Sequence, residues 1–293
     1  MSQLKFLVST IDTMIVNANA ERNRGRYSSA NKIYKRCLYY LFYSTELERR
    51  TIVLKELAFS YVLKGDFESS EKVESYLADL ILNRCELIDS GAIEILKFTL
   101  ARLTVLRIVT GDFNGADTSI GALLSHARIS LSEKKLIPIL NLYGSLKFRL
   151  EKYEESESLY RESLELSDKL KTYDNCKMQN RIDALKGLGI SLCSQGKEVY
   201  GRFYCSHACA SMEQVVKSTI ANELSQTVQN FCSEGNFGYI KPICKFSQWL
   251  SLQNESSSLP DRLKAYACLL KYLVPEFRVD EIDIRIERLQ MAS

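Results

Sequence analysis

The chain has 293 residues, which is enough to bury a sizeable core as one large domain or as two ordinary ones. Its formal net charge of +3 is too small to indicate a nucleic-acid-binding or membrane-surface protein from the overall balance. Only 13 glycines and 4 prolines occur, and this scarcity of helix breakers favours a mostly helical protein.

The nine cysteines indicate the compartment. None of them forms a CxxC pair, and most occupy positions where a helix needs an apolar residue. We therefore predict free thiols in a reducing compartment, the cytoplasm or the nucleus, without a disulfide framework. The sequence has no run of 18 uncharged apolar residues and so predicts no membrane span.

The first twenty residues admit two interpretations. A lysine, a short apolar run and small residues at Ala18 and Ala20 are typical of a secretory signal. Asp12 interrupts the apolar run, however, and the same residues fit an amphipathic helix. The helix is the favoured interpretation.

A short turn sequence, the turn marker, recurs along the chain. Its complete copies are Gly25-Arg26-Tyr27, Gly65-Asp66-Phe67, Gly111-Asp112-Phe113 and Gly235-Asn236-Phe237, and its partial copies are Glu151-Lys152-Tyr153 and Gly196-Lys197-Glu198. Successive copies begin 39 to 46 residues apart. A period of this length is typical of stacked supersecondary units rather than of a compact mixed fold.

Each turn marker lies between two amphipathic helical patterns, so the predicted unit is helix, turn, helix. Before Gly65, Leu57 and Tyr61 share one helix face, and after it Val73 and Leu77 share another. The glycine is expected to take the left-handed conformation that ends the first helix. A small residue five positions later is expected to let the two helices approach closely. These small residues are Ala30, Ser70, Ala116, Ser156 and Gly201.

This pattern resembles the tetratricopeptide repeat (TPR) family. Further matching residues are the pairs Leu57-Ala58, Tyr143-Gly144 and Leu188-Gly189 in first helices, and the bulky Tyr34 and Tyr160 in second helices. The resemblance covers roughly residues 10–250, with repeats two to five strongest. The spacing exceeds the usual 34 residues of the family, and its repeat-ending proline is absent. Longer repeats look like those of kinesin light chains, rapsyn-type scaffolds and bacterial peptide-sensing regulators.

The resemblance implies an all-α fold, a right-handed helical-repeat solenoid of about six TPR-like helix-turn-helix units. We predict a superhelical array over 1–250, a linker or loop over 251–260 and capping helices over 261–293. The cap would cover the open end of the array, and its apolar stripe leaves dimerisation through the C-terminal region open. In the sixth unit, Pro242 is expected to mark the start of the second helix.

The sequence offers no candidate catalytic, cofactor-binding or metal-binding site, so we predict a non-enzymatic protein without a cofactor. It lacks the motifs typical of phosphate binding, dinucleotide binding, zinc proteolysis and serine hydrolysis. His207 lies between Cys205 and Cys209, but on a helix it points nearly opposite to them. These three side chains therefore cannot converge on one zinc ion while the segment is helical. Cys193, Cys209 and Cys232 could still meet in space, but small apolar core residues are the favoured interpretation.

In the TPR family, the first helices of successive repeats line a concave groove that binds a partner segment. The resemblance places candidate groove residues ten, six, three and two positions before the turn markers. They are Lys55, Phe59, Asn141, Ser145, Phe148, Arg149, Lys186 and Gln229. Such a mixture suits a protein or peptide of acidic character, since arginine binds carboxylates and asparagine binds peptide backbone. The alternative is that several of them are merely solvated or fill the superhelix.

A second candidate surface is an outer basic patch near the N-terminus. Its cations are Arg22, Arg24, Arg26, Lys32, Lys35 and Arg36. The interleaved Tyr27 and Tyr34 are predicted to face the packing side of the repeat, not the solvent. A solvated face is therefore the favoured interpretation, docking of an acidic partner is the second, and nucleic acid is the third.

Together these features predict a non-enzymatic protein–protein interaction scaffold or adaptor, a subunit of a larger complex that binds a partner segment in its groove. A peptide-sensing regulatory TPR protein is the alternative, and the groove asparagine fits it. An RNA-binding helical-repeat protein is the third candidate, and it would need a more basic groove.

Overall fold

The structure, a computed structural model, describes residues 2–42, 46–83, 90–170, 175–219, 258–274, 277 and 279–291. Within these residues the chain forms twelve α-helices and no strand. They are α1 (Ser2–Asn23), α2 (Tyr27–Leu41), α3 (Leu47–Lys64), α4 (Phe67–Leu82), α5 (Ser90–Thr110), α6 (Phe113–Ser130), α7 (Glu133–Arg149), α8 (Tyr153–Lys169), α9 (Asn175–Ser194), α10 (Glu198–Thr219), α11 (Leu259–Leu273) and α12 (Asp280–Met291). The sixth turn marker, Pro242 and most of the predicted linker lie outside the described residues.

Contacts between the helices divide the chain into two units. Unit 1 comprises Met1–Asp112 and Ser257–Ser293, and unit 2 comprises Phe113–Ser256. In unit 1, each helix from α1 to α4 packs on the one that follows it, and α11 packs on α5 and α12. In unit 2, each helix from α6 to α9 packs on the one that follows it, and α7 also contacts α9. This order of packing confirms the predicted all-α fold of helix-turn-helix repeats. The division into an array over 1–250 and a separate cap stays a prediction.

The turn markers end the first helices by the predicted backbone conformation. The φ angle is 78° at Gly25, 88° at Gly65, 85° at Gly111 and 76° at Gly196. These φ angles lie in the left-handed region. With Gly65 in this conformation, the N–H of the next residue, Asp66, donates to the Tyr61 carbonyl at 2.9 Å, five residues earlier. Such a bond is the Schellman motif, which satisfies carbonyls that the end of a helix leaves without partners.

The marker that lacks glycine keeps the same turn. Glu151 has a φ of 60°, and the Lys152 N–H donates to the Lys147 carbonyl at 2.9 Å, again five residues earlier. A non-glycine residue in this region costs about 1 kcal/mol or more. Packing of the fourth repeat therefore holds the turn even without the residue that best accommodates it.

The two helices of a repeat approach closely at positions twelve residues apart. In the second repeat, the Ser70 hydroxyl donates to the Ala58 carbonyl at 2.9 Å, and in the fourth the Ser156 hydroxyl donates to the Gly144 carbonyl at 2.8 Å. Small side chains are needed here because one backbone lies directly against the other helix. The predicted role of the small residue after each marker is confirmed in these two repeats.

In the fifth repeat, both positions of this pair are glycine. A Cβ atom added to Gly201 of α10 would lie 2.7 Å from the carbonyl oxygen of Gly189 in α9, and one on Gly189 would lie 2.8 Å from the Gly201 oxygen. Real Cβ atoms essentially never come so close to a backbone oxygen. Only a glycine pair therefore permits this helix crossing.

Tyr160 of α8 connects the fourth and fifth repeats. Its ring is 4% exposed and lies against glycines of two first helices. A Cβ atom on Gly144 of α7 would lie 2.9 Å from the ring, and one on Gly187 of α9 would overlap it. The Tyr160 hydroxyl is 2.7 Å from the hydroxyl of Ser145. The bulky residue that the resemblance predicts at this position thus fills a space that two glycines leave open.

Candidate partner-binding surfaces

The C-terminal helices lie on the first helices of unit 1. α11 packs on α5, and Phe277, between α11 and α12, contacts one ring from α3 and one from α5. Its ring centroid is 6.1 Å from that of Phe59 and 6.0 Å from that of Phe98. The segment predicted to cap the open end of the array thus contacts the first three repeats. We call the surface that it covers, with Arg22, Phe59, Phe98 and Arg102, the first-helix face of unit 1.

Arg22 of α1 joins the first-helix face to α12. Its Nε and Nη2 donate to the two carboxylate oxygens of Glu281 at 3.0 and 3.1 Å, the paired geometry that favours carboxylate binding by arginine. Its Nη1 donates to Glu56 and, at 3.3 Å, to the Tyr34 hydroxyl. Arg22 is only 7% exposed, so it lies inside unit 1 and not in the predicted outer basic patch.

Two arginines of α12 bind the ends of first helices. The Nε of Arg285 donates to the Leu63 carbonyl at 3.2 Å, and Nη1 of Arg288 donates to the Asn23 carbonyl at 3.4 Å. These carbonyls belong to the last turns of α3 and α1, where acceptors lack helical partners and the helix dipole is negative. The C-terminal segment therefore makes charge-assisted contacts as well as aromatic ones.

A buried ion pair lies beneath α11. Nη2 of Arg102 in α5 is 2.5 Å from Oε1 of Glu74 in α4, and these side chains are 3% and 0% exposed. The phenol of Tyr266 in α11, also 0% exposed, interacts with Arg102. Burial raises the pKa of Glu74 to about 7, although the charges of Arg102 and Lys55 act to lower it.

The raised pKa of Glu74 predicts that unit 1 loses stability as pH rises. The unfolded chain releases this proton near the ordinary value of 4.5, whereas folded unit 1 keeps it up to about pH 7. Stability should therefore fall as pH rises through this window. Thermal unfolding at about pH 5.5 and about pH 8 measures the effect. The unfolding temperature of the Glu74→Gln variant should differ less between the two pH values than that of the parent. If the two proteins show the same difference, other groups cause the pH dependence.

The candidate groove residues of unit 1, Lys55 and Phe59, lie on or beside the first-helix face. Phe59 is half-buried against Phe277. Lys55 is half-buried, and its Nζ lies 5.6 Å from the centroid of the Phe98 ring. Both residues thus lie on α3, four residues apart, and Phe59 contacts the chain's own C-terminal segment.

In unit 2, Asn141 holds three helices together. Its Nδ2 donates to the Asn180 carbonyl of α9 at 2.9 Å, and its Oδ1 accepts from the Ser163 hydroxyl of α8 at 2.6 Å. The side chain is 3% exposed. Its amide is therefore committed to internal packing, a role that its position in the repeat does not distinguish from groove binding.

Two further candidates, Lys186 and Ser145, add little to an accessible surface. Lys186 is 5% exposed. Ser145 is half-buried with its hydroxyl beside that of Tyr160. Gln229 lies outside the described residues.

Phe148 and Arg149, at the end of α7, are the accessible candidates. The half-buried Phe148 ring has its centroid 5.4 Å from that of Tyr153. Arg149 is exposed, and its guanidinium carbon lies 5.5 Å from the centroid of the Phe113 ring. An aromatic ring and an arginine are thus adjacent on one exposed edge of unit 2.

The predicted basic patch is divided by the fold. Arg22 is buried, whereas Arg24 and Arg26 are exposed and pair with Glu21 at 3.0 and 3.5 Å. Tyr27 and Tyr34 pack inside unit 1, as predicted. Three residues of the patch are exposed and make no ion pair with the described part of the chain. They are Lys32, Lys35 and Arg36.

An aromatic cluster at the end of α2 was not among the candidates. Tyr39, Phe42 and Tyr76 are 70%, 60% and 44% exposed. The guanidinium carbon of Arg50 lies 5.6 Å from the Phe42 ring centroid and 5.5 Å from that of Tyr76. Nη2 of Arg50 donates a hydrogen bond to the Tyr76 hydroxyl. The sequence does carry a signal, because CLYYLF holds more aromatic residues than one packing face can bury.

Among the described residues, no helix is long and apolar enough to cross a membrane. Nor do any three histidine, cysteine or acidic side chains of these residues come together as metal ligands would. The ring of His207 instead packs on Phe203, with centroids 4.4 Å apart.

Comparison with known proteins identifies the fold. No protein-family model and no curated protein matches the sequence. Among solved structures, BtubC (BKLC) from P. vanneervenii is similar at a TM-score of 0.52 and 13% identity, over 71% of this chain and 82% of BtubC. A P. anserina protein described as a kinesin light chain with nearly identical TPR-like repeats is similar at a TM-score of 0.53 and 10% identity. The match covers 71% of this chain and 97% of that protein. MamA is similar at a TM-score of 0.50 and 12% identity, over 73% of this chain and 97% of MamA. The chain therefore has the TPR-like fold that its turn markers predict.

Proposed function

We propose that this chain is a non-enzymatic interaction scaffold that binds a helical or extended segment of a partner protein on the first helices of its repeats. The main support is the first-helix face of unit 1, where the chain's own C-terminal helices lie. The TPR-like fold adds support, because stacked repeats present extended surfaces for segments of another chain.

The intramolecular contact suggests what a partner segment must carry. Phe277 supplies an aromatic ring to Phe59 and Phe98, and Glu281, four residues later, supplies a carboxylate to Arg22. An aromatic anchor and a paired charge are the kinds of contact that dominate binding energy. We therefore infer a partner segment with a bulky apolar residue and, about four residues later, an acid.

Unit 2 offers the same two kinds of contact at Phe148 and Arg149. Arg149 is exposed and Phe148 half-buried, so both can reach a partner without rearrangement of the helix. Asn141 supports this site indirectly by fixing α7 against α8 and α9. We propose the end of α7 as the partner site of unit 2.

The proposal predicts that Arg149→Glu loses a partner. Tagged full-length parent and variant are purified natively from cells, and the proteins that they retain are identified by mass spectrometry. The parent should hold a protein at stoichiometric amount, and the variant should lose it because a carboxylate would face the acid of the partner. Arg202→Glu is the matched control, since Arg202 is a 65% exposed arginine on α10 of the same unit.

The other outcomes separate the remaining hypotheses. Equal retention by the parent and Arg149→Glu would remove the end of α7 as the site. A parent that retains no protein but gains thermal stability from a short acidic peptide would favour the peptide-sensing alternative. Binding of RNA that weakens steeply with salt would favour the RNA-binding alternative.

A further inference from the structure

The outer face of α2 carries a row of exposed side chains with the spacing of a helix-packing seam. The members of this row, which we call the α2 seam, are Ser28, Lys32, Lys35, Tyr39 and Phe42, and all are exposed. Successive members are four, three, four and three residues apart, the alternation by which one helix packs along another. The buried residues of α2, such as Tyr34 and Cys37, lie on its other side.

One half of the α2 seam is cationic. Lys32, Lys35 and the adjacent Arg36 are exposed, and no carboxylate of the described residues pairs with them. α2 itself contains no acidic residue. Arg24 and Arg26, by contrast, already have Glu21 as a partner. This half of the seam thus carries positive charge that the described part of the chain does not neutralise.

The other half is aromatic and held in place. Tyr39 and Phe42 are 70% and 60% exposed, a large apolar area for two residues one turn apart on a soluble surface. Arg50 stacks on Phe42 from one side, and Tyr40 meets Tyr39 edge-on with centroids 5.9 Å apart. These contacts restrict the two rings, which reduces the conformational freedom that they lose when a partner covers them.

We propose that the α2 seam binds an amphipathic helix of a second protein, with acidic residues opposite Lys32 and Lys35 and apolar residues opposite Tyr39 and Phe42. The charge of the seam selects an acidic partner, and its spacing selects a helix. A single convex helix lacks the groove with which single-stranded nucleic acid is followed along its phosphates. The seam lies on the second helix of its repeat, apart from the first-helix face. This inference does not depend on the proposed function of the first helices.

The test uses a defined probe. Amidated synthetic helices of about 20 residues carry glutamates in one half of their seam and leucines in the other, in both sequence orders. The control peptide has lysines in place of the glutamates. Binding to the full-length protein is measured by fluorescence anisotropy at low and physiological salt, beside a single-stranded RNA of similar charge.

We expect one of the acidic peptides to bind at least about tenfold more tightly than the lysine peptide. The double variant Lys32→Glu/Lys35→Glu should weaken binding of this acidic peptide about tenfold or more. The variant Phe42→Ala should weaken its binding by about tenfold. The matched control Lys169→Glu/Arg202→Glu makes the same charge change at exposed positions of unit 2 and should bind as the parent does. Unchanged circular dichroism of each variant shows that the fold is kept.

Three results would overturn the proposal. The first is no preference for the acidic peptides, or a preference that the seam variants leave intact. The second is tighter binding of the RNA, lost in the same variants, which would assign the seam to nucleic acid. The third is a parent that self-associates in sedimentation while Phe42→Ala does not, which would make a second copy the occupant.

Discussion

Replacing Glu74 with leucine is expected to destabilise unit 1 by about 3–5 kcal/mol at about pH 8, where the carboxylate is ionised in the parent. Glu74 is 0% exposed, and the nearest charge to Arg102 is its carboxylate, 2.5 Å away. The variant would leave the Arg102 guanidinium buried without its counter-charge. Losing one partner of a buried pair costs more than losing both, because the remaining charge keeps its desolvation penalty.

The decisive comparison is with the double variant Glu74→Leu/Arg102→Met. It removes both charges and should recover most of the lost stability. Chemical unfolding gives the free energy, and hydrogen exchange of the α4 and α5 amides assigns the loss to unit 1. If the double variant is as unstable as the single one, the loss comes from packing around Arg102, such as its stacking on Phe98.

The same pair connects the repeats to the C-terminal segment. Tyr266 of α11 interacts with Arg102, so the site where α4 meets α5 is closed by a helix from the far end of the sequence. Unit 1 thus has a polar interior contact that needs α11 to exclude water from it. Displacement of α11 by a partner would hydrate this pair, which makes occupancy of the first-helix face and stability of unit 1 interdependent.

The repeat architecture could be predicted because it depends on few residues close together in sequence. A helix end needs one residue in the left-handed conformation, and the turn markers supply glycine at that point in four of the five described turns. The close approach of two helices needs a small residue twelve positions from its counterpart, as at Ser70 and Ala58. These requirements recur with the period and are visible without knowledge of the tertiary contacts.

The position of the C-terminal segment could not be predicted in the same way. Phe277 meets Phe59 more than two hundred residues earlier in the chain, and the apolar stripe of α12 is compatible with any apolar surface.

Asn141 illustrates a second limit. Its position in the repeat is a groove position by resemblance, but its amide is bonded to Asn180 and Ser163. Such partners come from neighbouring helices and follow no short-range pattern.

Substituting alanine for Gly201 is expected to destabilise unit 2 by about 2 kcal/mol or more, although alanine is the better helix former by about 1 kcal/mol. The new methyl group would lie 2.7 Å from the Gly189 oxygen and 3.0 Å from the Cys193 nitrogen, and it would also meet the Cys193 sulfur. Two of these three neighbours are backbone atoms. Relief of the overlap therefore requires α9 and α10 to move apart.

Gly121→Ala is the matched control for this experiment. Gly121 also lies within a helix of unit 2, but the nearest atom to an added Cβ is the hydroxyl oxygen of Tyr143 at 3.2 Å, at the far end of a side chain that can shift. This variant should be neutral or gain up to about 1 kcal/mol from helix propensity. Hydrogen exchange should quicken in α9 and α10 of Gly201→Ala and stay unchanged in Gly121→Ala. Equal stability of the two variants would mean that the glycine pair is not required, because the helices could separate at little cost.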